Sequence, residues 1–133
     1  MFNIFQVSQF PILITIITLF IYQILSLNVS RSRFQNKIPA PITVGNLNFE
    51  RAYRTHLNFL ENMVIFLPLV WICSSFGNNI FYLLSCVFWI IGRVVFSISY
   101  IKDLDLKIKI AANAVAITSI FVLLIMIFIG ILY

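Results

Sequence analysis

A polar stretch between Phe49 and Pro68 concentrates the side chains of this chain that could do chemistry. It contains five acidic or basic side chains and two asparagines, and it runs directly into an apolar segment. If this stretch is a helix, His56 lies on a different face from the other polar residues. Charged groups inside a membrane helix face a protein interior or a wet cavity, so the stretch predicts one wall of a polar site. On a helix, which turns about 100° per residue, the residues of this wall fall on one stripe roughly 120° wide: Arg51, Arg54, Thr55, Asn58, Glu61 and Asn62.

A second set of polar side chains lies on another apolar segment. Arg93, Phe96 and Tyr100 share one helical face through their i, i+3 and i+7 spacing. Two interpretations of Arg93 stay open from the residues alone. It either snorkels to the headgroups or pairs with Glu61 inside the bundle, or it belongs to a ligand site together with the polar stripe. Asn113, in the last apolar segment, is typical of an interhelical hydrogen bond.

The composition indicates an integral membrane protein. The 133 residues are 62% hydrophobic and 10% charged, with a mean hydropathy of +1.05, whereas soluble proteins carry about a quarter charged residues. The net charge of +5 does not indicate nucleic acid binding, because the basic residues cluster between apolar segments. Cys73 and Cys86 lie in apolar segments and are interpreted as separate buried thiols, although one disulfide is conceivable.

Four apolar segments are each long enough to cross a bilayer, which takes about 20 residues. They predict an all-α bundle of four transmembrane helices and a single membrane domain over residues 1–133. The first segment is expected to be a retained helix, since no basic residue precedes it and no small-residue cleavage site follows. Pro68 predicts a kink in the second segment. The predicted spans are 4–27, 47–76, 80–100 and 108–132.

The distribution of charge predicts the orientation of the chain. Lysines and arginines lie in the first and third connections or in the helices beside them, whereas the second connection and both termini carry no charged side chain. By the positive-inside bias, the two charged connections are expected in the cytoplasm and both termini outside it. The polar stripe then lies near the inner face of the membrane.

The polar stretch closely resembles the signature of the MAPEG family, the membrane-associated proteins in eicosanoid and glutathione metabolism. It reads Phe49-Glu-Arg-Ala-Tyr-Arg-Thr-His-Leu-Asn-Phe-Leu-Glu, and the family pattern is F-E-R-x-x-R-A-x-x-N-x-x-E. The basic Val29–Arg33 segment, the loop segment Ile42–Gly45, and Gly92-Arg93 with Tyr100 also fit without gaps. The resemblance therefore covers nearly the whole chain.

This resemblance implies a four-helix subunit of a homotrimer, with glutathione bound between subunits near the cytoplasmic face and no metal. Glutathione carries two carboxylates and one ammonium, so a site with several arginines and one glutamate is complementary to it in charge. An internal ion-pair network, with Arg54 and Arg93 bound to Glu61, is the alternative. The residues that match the family's ligand positions are Arg33, Arg54, His56, Asn58, Glu61, Arg93 and Tyr100.

Catalysis in this family requires a glutathione thiolate, and a nearby cation lowers the pKa of a thiol from its ordinary value of about 8.5. Enzymatic members place an arginine at the start of the fourth helix for this purpose. A gapless match puts Lys107 there, with Lys109 close by. A lysine can stabilise a thiolate as a point charge but lacks the fork of arginine, and both lysines could simply flank the membrane. Phe96 stands where leukotriene-type members have a tyrosine.

The resemblance implies a membrane-bound glutathione transferase, with glutathione peroxidase activity as an additional reaction. Lipophilic electrophiles or lipid hydroperoxides would enter from the bilayer. The alternative is a non-catalytic lipid-binding or scaffold protein, because the family contains one and the expected arginine is a lysine here. A small transporter has little support, since no inverted repeat is visible. The short chain favours a bacterial inner-membrane protein, and its richness in Ile, Phe and Asn indicates an AT-rich genome.

Overall fold

The computed structural model describes residues 9–77 and 79–132. By length and composition, each of its helices can cross a membrane, which confirms the predicted all-α membrane bundle. Residues 4–8 of the first predicted span lie outside the described residues. The four helices are α1 (Gln9–Gln35), α2 (Leu47–Ser75), α3 (Ile80–Ile101) and α4 (Leu106–Leu132).

The helix ends follow from local sequence. Helix α1 continues well past residue 27, because no glycine or proline interrupts the basic segment before Pro39. Helix α2 begins after Asn46, whose side chain accepts hydrogen bonds from the N–H groups of Asn48 and Phe49 (2.9 and 3.2 Å). Pro68 lies inside α2, and the helix continues on both sides of it. The basic end of α1 and the polar start of α2 are thus both helical.

Helices α1 and α3 end in the same way, with a charged residue in the left-handed conformation. The φ angle is 52° at Lys37 and 53° at Asp103. In each case the next residue, Ile38 or Leu104, donates its N–H to the carbonyl oxygen five positions earlier (3.1 and 2.8 Å). Glycine is usual at this position because it has no Cβ, and asparagine and aspartate tolerate the conformation better than other residues. Asp103 therefore suits its position, whereas Lys37 is an uncommon residue there.

Close packing of α3 on α4 sets the shape of the bundle. A Cβ at Gly92 would lie only 2.8 Å from the carbonyl oxygen of Ala112 and 3.1 Å from the nitrogen of Ala116, so a small residue is needed where these helices cross. About one turn before Gly92 on α3, the Trp89 ring stacks on Phe66 of α2 with centroids 3.7 Å apart. Helix α3 therefore packs against both α2 and α4.

The outer faces of the helices carry large apolar side chains. Phe20 on α1 is 68% exposed and Phe128 on α4 is 64% exposed. Exposed apolar surface of this extent is unusual for a soluble monomer and is expected where lipid covers the protein. The chain is therefore an integral membrane protein.

Candidate functional site

A cavity of about 260 Å³ lies between α2 and the C-terminal turns of α3. It is lined by Arg54, Thr55, Asn58, Phe96 and Tyr100. The α2 residues belong to the predicted polar stripe, and the two aromatic residues belong to the predicted face of α3. The structure thus brings together three of the predicted site residues: Arg54, Asn58 and Tyr100.

A larger cavity of about 560 Å³ adjoins the first, since Arg54 and Tyr100 line both. Its walls come from the loop before α2, from α2 itself, and from the connection between α3 and α4. Three cations face two carboxylates here, which leaves one positive charge in excess. The charged lining residues are Glu50, Arg51, Arg54, Asp103 and Lys109.

Asp103 connects three parts of this larger cavity. Its Oδ2 lies 2.6 Å from Nη2 of Arg51, and its Oδ1 lies 2.9 Å from Nζ of Lys109. The hydrogen bond from Lys109, and then the charge of Arg51, hold the pKa of the Asp103 carboxyl below its usual range. The carboxylate of Asp103, just after the end of α3, thus lies between a cation of α2 and a cation of α4.

Among the described residues, Arg54 has no anionic partner, in contrast to Arg51 and Lys109. The carboxylate of Glu50 accepts the N–H of Gly45 at 2.7 Å. Over residues 9–77 and 79–132, both ion pairs go to Asp103. Arg54 is exposed and lines both cavities, so its guanidinium is available to an anionic ligand.

Arg93 is fully buried and joins three helices. Its Nη1 donates to Oδ1 of Asn113 at 3.1 Å, and its Nη2 donates to Oδ1 of Asn58 and, at 3.3 Å, to the backbone oxygen of Asn58. Asn113 therefore makes the interhelical hydrogen bond that was predicted. The interpretations in which Arg93 snorkels or pairs with Glu61 are wrong for this subunit, because two asparagines take up the guanidinium. Arg93 orients Asn58 and does not itself line the cavity.

Glu61 lies one turn beyond Asn58 on α2 and is exposed in the subunit. It lines neither cavity, and the described part of the chain contains no ion pair to it. The described residues therefore form no direct ion pair of the internal network centred on Glu61. A carboxylate within a membrane helix is expected to face a polar partner or a wet cavity.

His56 lies away from the cavities, as helical periodicity predicts. Its ring stacks on that of Tyr22 in α1, with centroids 4.8 Å apart. Its Nε2 is buried and has no hydrogen-bond partner in the described structure. The structure does not bring His56 to the Arg54 cavity of the same subunit.

Arg33 anchors the loop between α1 and α2. Its Nη1 donates to the carbonyl oxygens of Ile42 (2.7 Å) and Pro39 (3.3 Å), and its guanidinium lies 4.6 Å from the centroid of the Phe49 ring. The same loop lines part of the larger cavity. Arg33 thus supports that cavity through the loop and does not line it.

The two lysines of α4 lie in different surroundings. Lys109 lines the larger cavity, and its Nζ lies 5.5 Å from the centroid of the Tyr100 ring. Lys107 is exposed, and its backbone N–H donates to Oδ1 of Asp105 (3.1 Å) at the start of α4. Of the two α4 lysines, Lys109 is therefore the one that lines the cavity, where it is paired with Asp103.

Sequence reasoning missed the role of Asp103, which it treated only as part of a charged connection. A signal was present, because Asp103 directly follows the last turn of α3 and precedes two lysines of α4. Its partner on α2, Arg51, was on the predicted stripe, but the sequence does not show which residues of other helices lie beside it.

The pairing of Asp103 predicts a pH-dependent contribution to stability. A carboxyl whose pKa is depressed on folding stabilises the protein fully above its unfolded pKa, about 4, and this contribution is lost as the pH falls through the lower folded pKa. Asp103→Asn should therefore lower the melting temperature at neutral pH and make no difference in strong acid. Asp105→Asn, which removes the same charge and keeps the helix cap, is the control. A difference that persists unchanged in strong acid would contradict the pairing.

The fold and the cavities define a class of protein: a four-helix integral membrane protein with a cation-rich polar site at one end of the bundle. The sequence model of the MAPEG family matches residues 11–129. The chain belongs to the MAPEG family, which confirms the predicted resemblance.

Individual relatives agree with this assignment. The chain is 32% identical over 90 residues to an uncharacterized protein of Synechocystis sp., covering 68% of this chain and 66% of that protein. It is 36% identical over 53 residues to microsomal glutathione S-transferase 2 of Mus musculus, covering 40% and 36%. It is 24% identical over 95 residues to leukotriene C4 synthase of Cavia porcellus, covering 71% and 63%. The chain thus spans about a third to two thirds of the length of these relatives.

Proposed function

We propose that the chain is a membrane-bound glutathione transferase that binds glutathione in the two adjoining cavities. The observation that carries this proposal is Arg54, an exposed guanidinium that lines both cavities and has no carboxylate partner over residues 9–77 and 79–132. Membership of the MAPEG family supports it, as does the similarity to relatives named as a glutathione transferase and a leukotriene synthase.

Two α2 side chains are matched to different groups of glutathione. Arg54 can hold a carboxylate through two parallel hydrogen bonds. Asn58 already accepts a hydrogen bond from Arg93 at its Oδ1, which leaves its Nδ2 hydrogens to donate to a ligand carbonyl or carboxylate. Buried Arg93 thus acts as a positioning residue for Asn58.

We further propose that the site is completed by a neighbouring subunit of a homotrimer. Three of the predicted ligands, Arg33, His56 and Glu61, lie outside the two cavities of their own subunit. Glu61 is an exposed carboxylate within a helix long and apolar enough to span a membrane, and Nε2 of His56 is buried with no hydrogen-bond partner among the described residues. A second subunit would give both groups polar partners, and the ammonium of glutathione would suit Glu61.

The proposed substrates are lipophilic electrophiles, with lipid hydroperoxides for an additional peroxidase reaction. Both kinds of molecule dissolve in the bilayer, which surrounds the cavities at the apolar faces of the helices. The ion pair between Arg51 and Asp103 shows that the two charged connections lie at the same end of the bundle as the cavities. With the positive-inside bias, this supports a site facing the cytoplasm of a bacterial inner membrane, with both termini outside the cytoplasm.

We assign the activation of the glutathione thiol to Lys109, because it lines the cavity whereas Lys107 is exposed. At an effective dielectric constant near 20, a free cation several ångströms from a thiolate would stabilise it by about 2 kcal/mol. The ion pair of Lys109 with Asp103 (2.9 Å) reduces this attraction, so the thiol pKa is expected to fall by about one unit or less. Lys109→Ala should therefore raise the pKa of bound glutathione by that amount. Glutathione should still bind to this variant through Arg54.

Thiolate absorbance of bound glutathione, followed against pH, tests this assignment. Lys107→Ala is the matched control and should leave the titration unchanged. If only Lys107→Ala changes the titration, Lys107 activates the thiol, as the gapless match to the family pattern implies. If neither lysine changes the titration, the protein binds glutathione without activating it through these lysines.

A non-catalytic lipid-binding or scaffold protein is the second candidate function. It is favoured by the exposure of Lys107, which stands where enzymatic relatives carry an arginine. Turnover with a generic electrophile separates the two functions, since only a transferase would consume glutathione and the electrophile together.

A further inference from the structure

The ion pairs of Asp103 set the charge of the larger of the two adjoining cavities. Asp103 and the two cations that it contacts, Arg51 and Lys109, all line this cavity. With Glu50 and Arg54 included, three cations and two carboxylates leave one positive charge in excess. Without the carboxylate of Asp103, two positive charges would be in excess.

The two cations have little freedom to move away from Asp103. The side chain of Lys109 is 17% exposed and that of Arg51 is 23% exposed, whereas that of Asp103 is 53% exposed. Nζ of Lys109 lies 2.9 Å from Oδ1 of Asp103 and 5.5 Å from the centroid of the Tyr100 ring. Because most of each cationic side chain is packed, removal of the carboxylate would leave both positive charges in the cavity without a counter-ion.

Tyr100 connects the Lys109–Asp103 pair to the place where a ligand would lie. This tyrosine lines both cavities, so the ammonium beside its ring is near the junction of the two. A ligand that occupies both cavities would lie close to the pair. The ammonium attracts a negative charge on such a ligand, and the carboxylate 2.9 Å away opposes that attraction.

We propose that Asp103 is a specificity-determining residue that reduces the affinity of the site for ligands with two net negative charges more than for ligands with one. It does so by partly neutralising Lys109. This inference rests on the proposed glutathione site. Glutathione with a protonated thiol carries one net negative charge, and its thiolate carries two.

This role of Asp103 indicates which ligands the site favours. Conjugates of glutathione with uncharged electrophiles keep one net negative charge and are accepted. The thiolate, and conjugates that carry an additional acid group, meet the carboxylate as a repulsive element that discriminates against them. The proposal therefore adds a selection by charge to the apolar character of the electrophile.

Two analogues of glutathione that differ in charge at the sulfur test the proposal. At neutral pH, S-methylglutathione carries one net negative charge and glutathione sulfonate carries two. Their Kd values are measured by isothermal titration calorimetry on the full chain, folded in detergent. The ratio of the two Kd values then gives the charge preference of each protein.

Two asparagine variants provide the comparison. Asp103→Asn removes the charge and keeps a residue that tolerates the left-handed conformation. Asp105→Asn is the matched control, because it removes the same charge from the same connection. Asp105 lines neither cavity and forms no ion pair in the described part of the chain.

Asp103→Asn should shift the Kd ratio in favour of the sulfonate by about threefold, the scale of one exposed ion pair. It should also lower the pKa of the bound glutathione thiol by about half a unit, the same factor on a logarithmic scale. A purely structural role predicts a lower melting temperature with neither change. An unchanged ratio in Asp103→Asn, or an equal shift in Asp105→Asn, would overturn the proposal.

The same substitution in a Lys109→Ala background tests whether Asp103 acts through this lysine. With Lys109 absent, Asp103→Asn should shift the Kd ratio by clearly less than in the wild-type background. An undiminished shift would contradict the role of Lys109 and overturn the proposed mechanism.

Failure of the proposed function gives a different result. If neither analogue binds saturably to the wild-type protein or to Asp103→Asn, the glutathione site itself is wrong, and this inference is overturned with it. If both analogues bind and the Kd ratio is the same in the two proteins, only the role of Asp103 is wrong.

Discussion

Replacing Arg54 by alanine is expected to weaken glutathione binding by about 1.5–3 kcal/mol, the scale of a lost hydrogen bond to a charged group. This corresponds to a rise in Kd of about 10- to 150-fold. The effect should be large because Arg54 lines both cavities and is not committed to a carboxylate in the described part of the chain. Arg51, which is paired with Asp103 at 2.6 Å, should matter less to the ligand.

The measurement is glutathione affinity by isothermal titration calorimetry on folded protein in detergent. Lys102→Ala is the control, because it removes one exposed positive charge outside the cavities and should change the affinity by less than about 1 kcal/mol. Unchanged affinity in a folded Arg54→Ala protein would remove Arg54 from the site. Equal losses in the two variants would indicate general charge attraction instead of a specific contact.

Replacing Arg93 by alanine is expected to give the largest loss of stability, about 2–4 kcal/mol. The substitution empties a fully buried volume and removes the hydrogen bonds to Asn58 and Asn113, which leaves two side-chain amides in the bundle without their partner. Much of the cost should come from packing, since single hydrogen bonds between membrane helices average only about 0.6 kcal/mol. Asn58 should also lose its fixed orientation, so glutathione affinity should fall with stability.

The free energy of unfolding in lipid bicelles checks this prediction. Arg31→Ala, at an exposed arginine of α1, should stay within about 0.5 kcal/mol of the wild-type protein. Arg93→Lys should recover only part of the loss, because an ammonium cannot reach two asparagines with a planar fork. An Arg93→Ala protein with wild-type stability and wild-type glutathione affinity would contradict both the structural and the positioning role.

Apolar length and helical periodicity were enough to predict the bundle and one wall of the site. Each span is a run of apolar residues that needs no knowledge of its neighbours, and the stripe with Arg54 and Asn58 depends only on the turn of a single helix. Both features are properties of one helix at a time. For the same reason, the spacing of Phe96 and Tyr100 placed them correctly on a shared face.

Contacts between helices could not be predicted in this way. Whether Arg93 meets Asn113 depends on the position of α3 along α4. The close contact of Gly92 with Ala112 and Ala116 fixes this position. The choice between Lys107 and Lys109 depends on where α4 begins, because two residues on a helix point about 200° apart. These facts belong to the packed structure.

Arg33 shows a further limit of sequence reasoning. Its partners are backbone carbonyl oxygens of Pro39 and Ile42, and every residue offers such a group, so no residue type reveals them. The match to the family pattern identifies Arg33 as a candidate site residue. It does not tell whether the side chain contacts the ligand or supports the loop. Its assignment as a glutathione contact stays a prediction.

Equilibrium binding of glutathione to the purified wild-type protein tests the central claim most directly. We expect saturable binding that is strong at neutral pH, where both carboxylates of glutathione are ionised, and that weakens with added salt because exposed charges are screened. A glutathione conjugate with an apolar tail should compete for the same site. Folded protein that shows no saturable binding of glutathione at any salt concentration would contradict the proposed glutathione site.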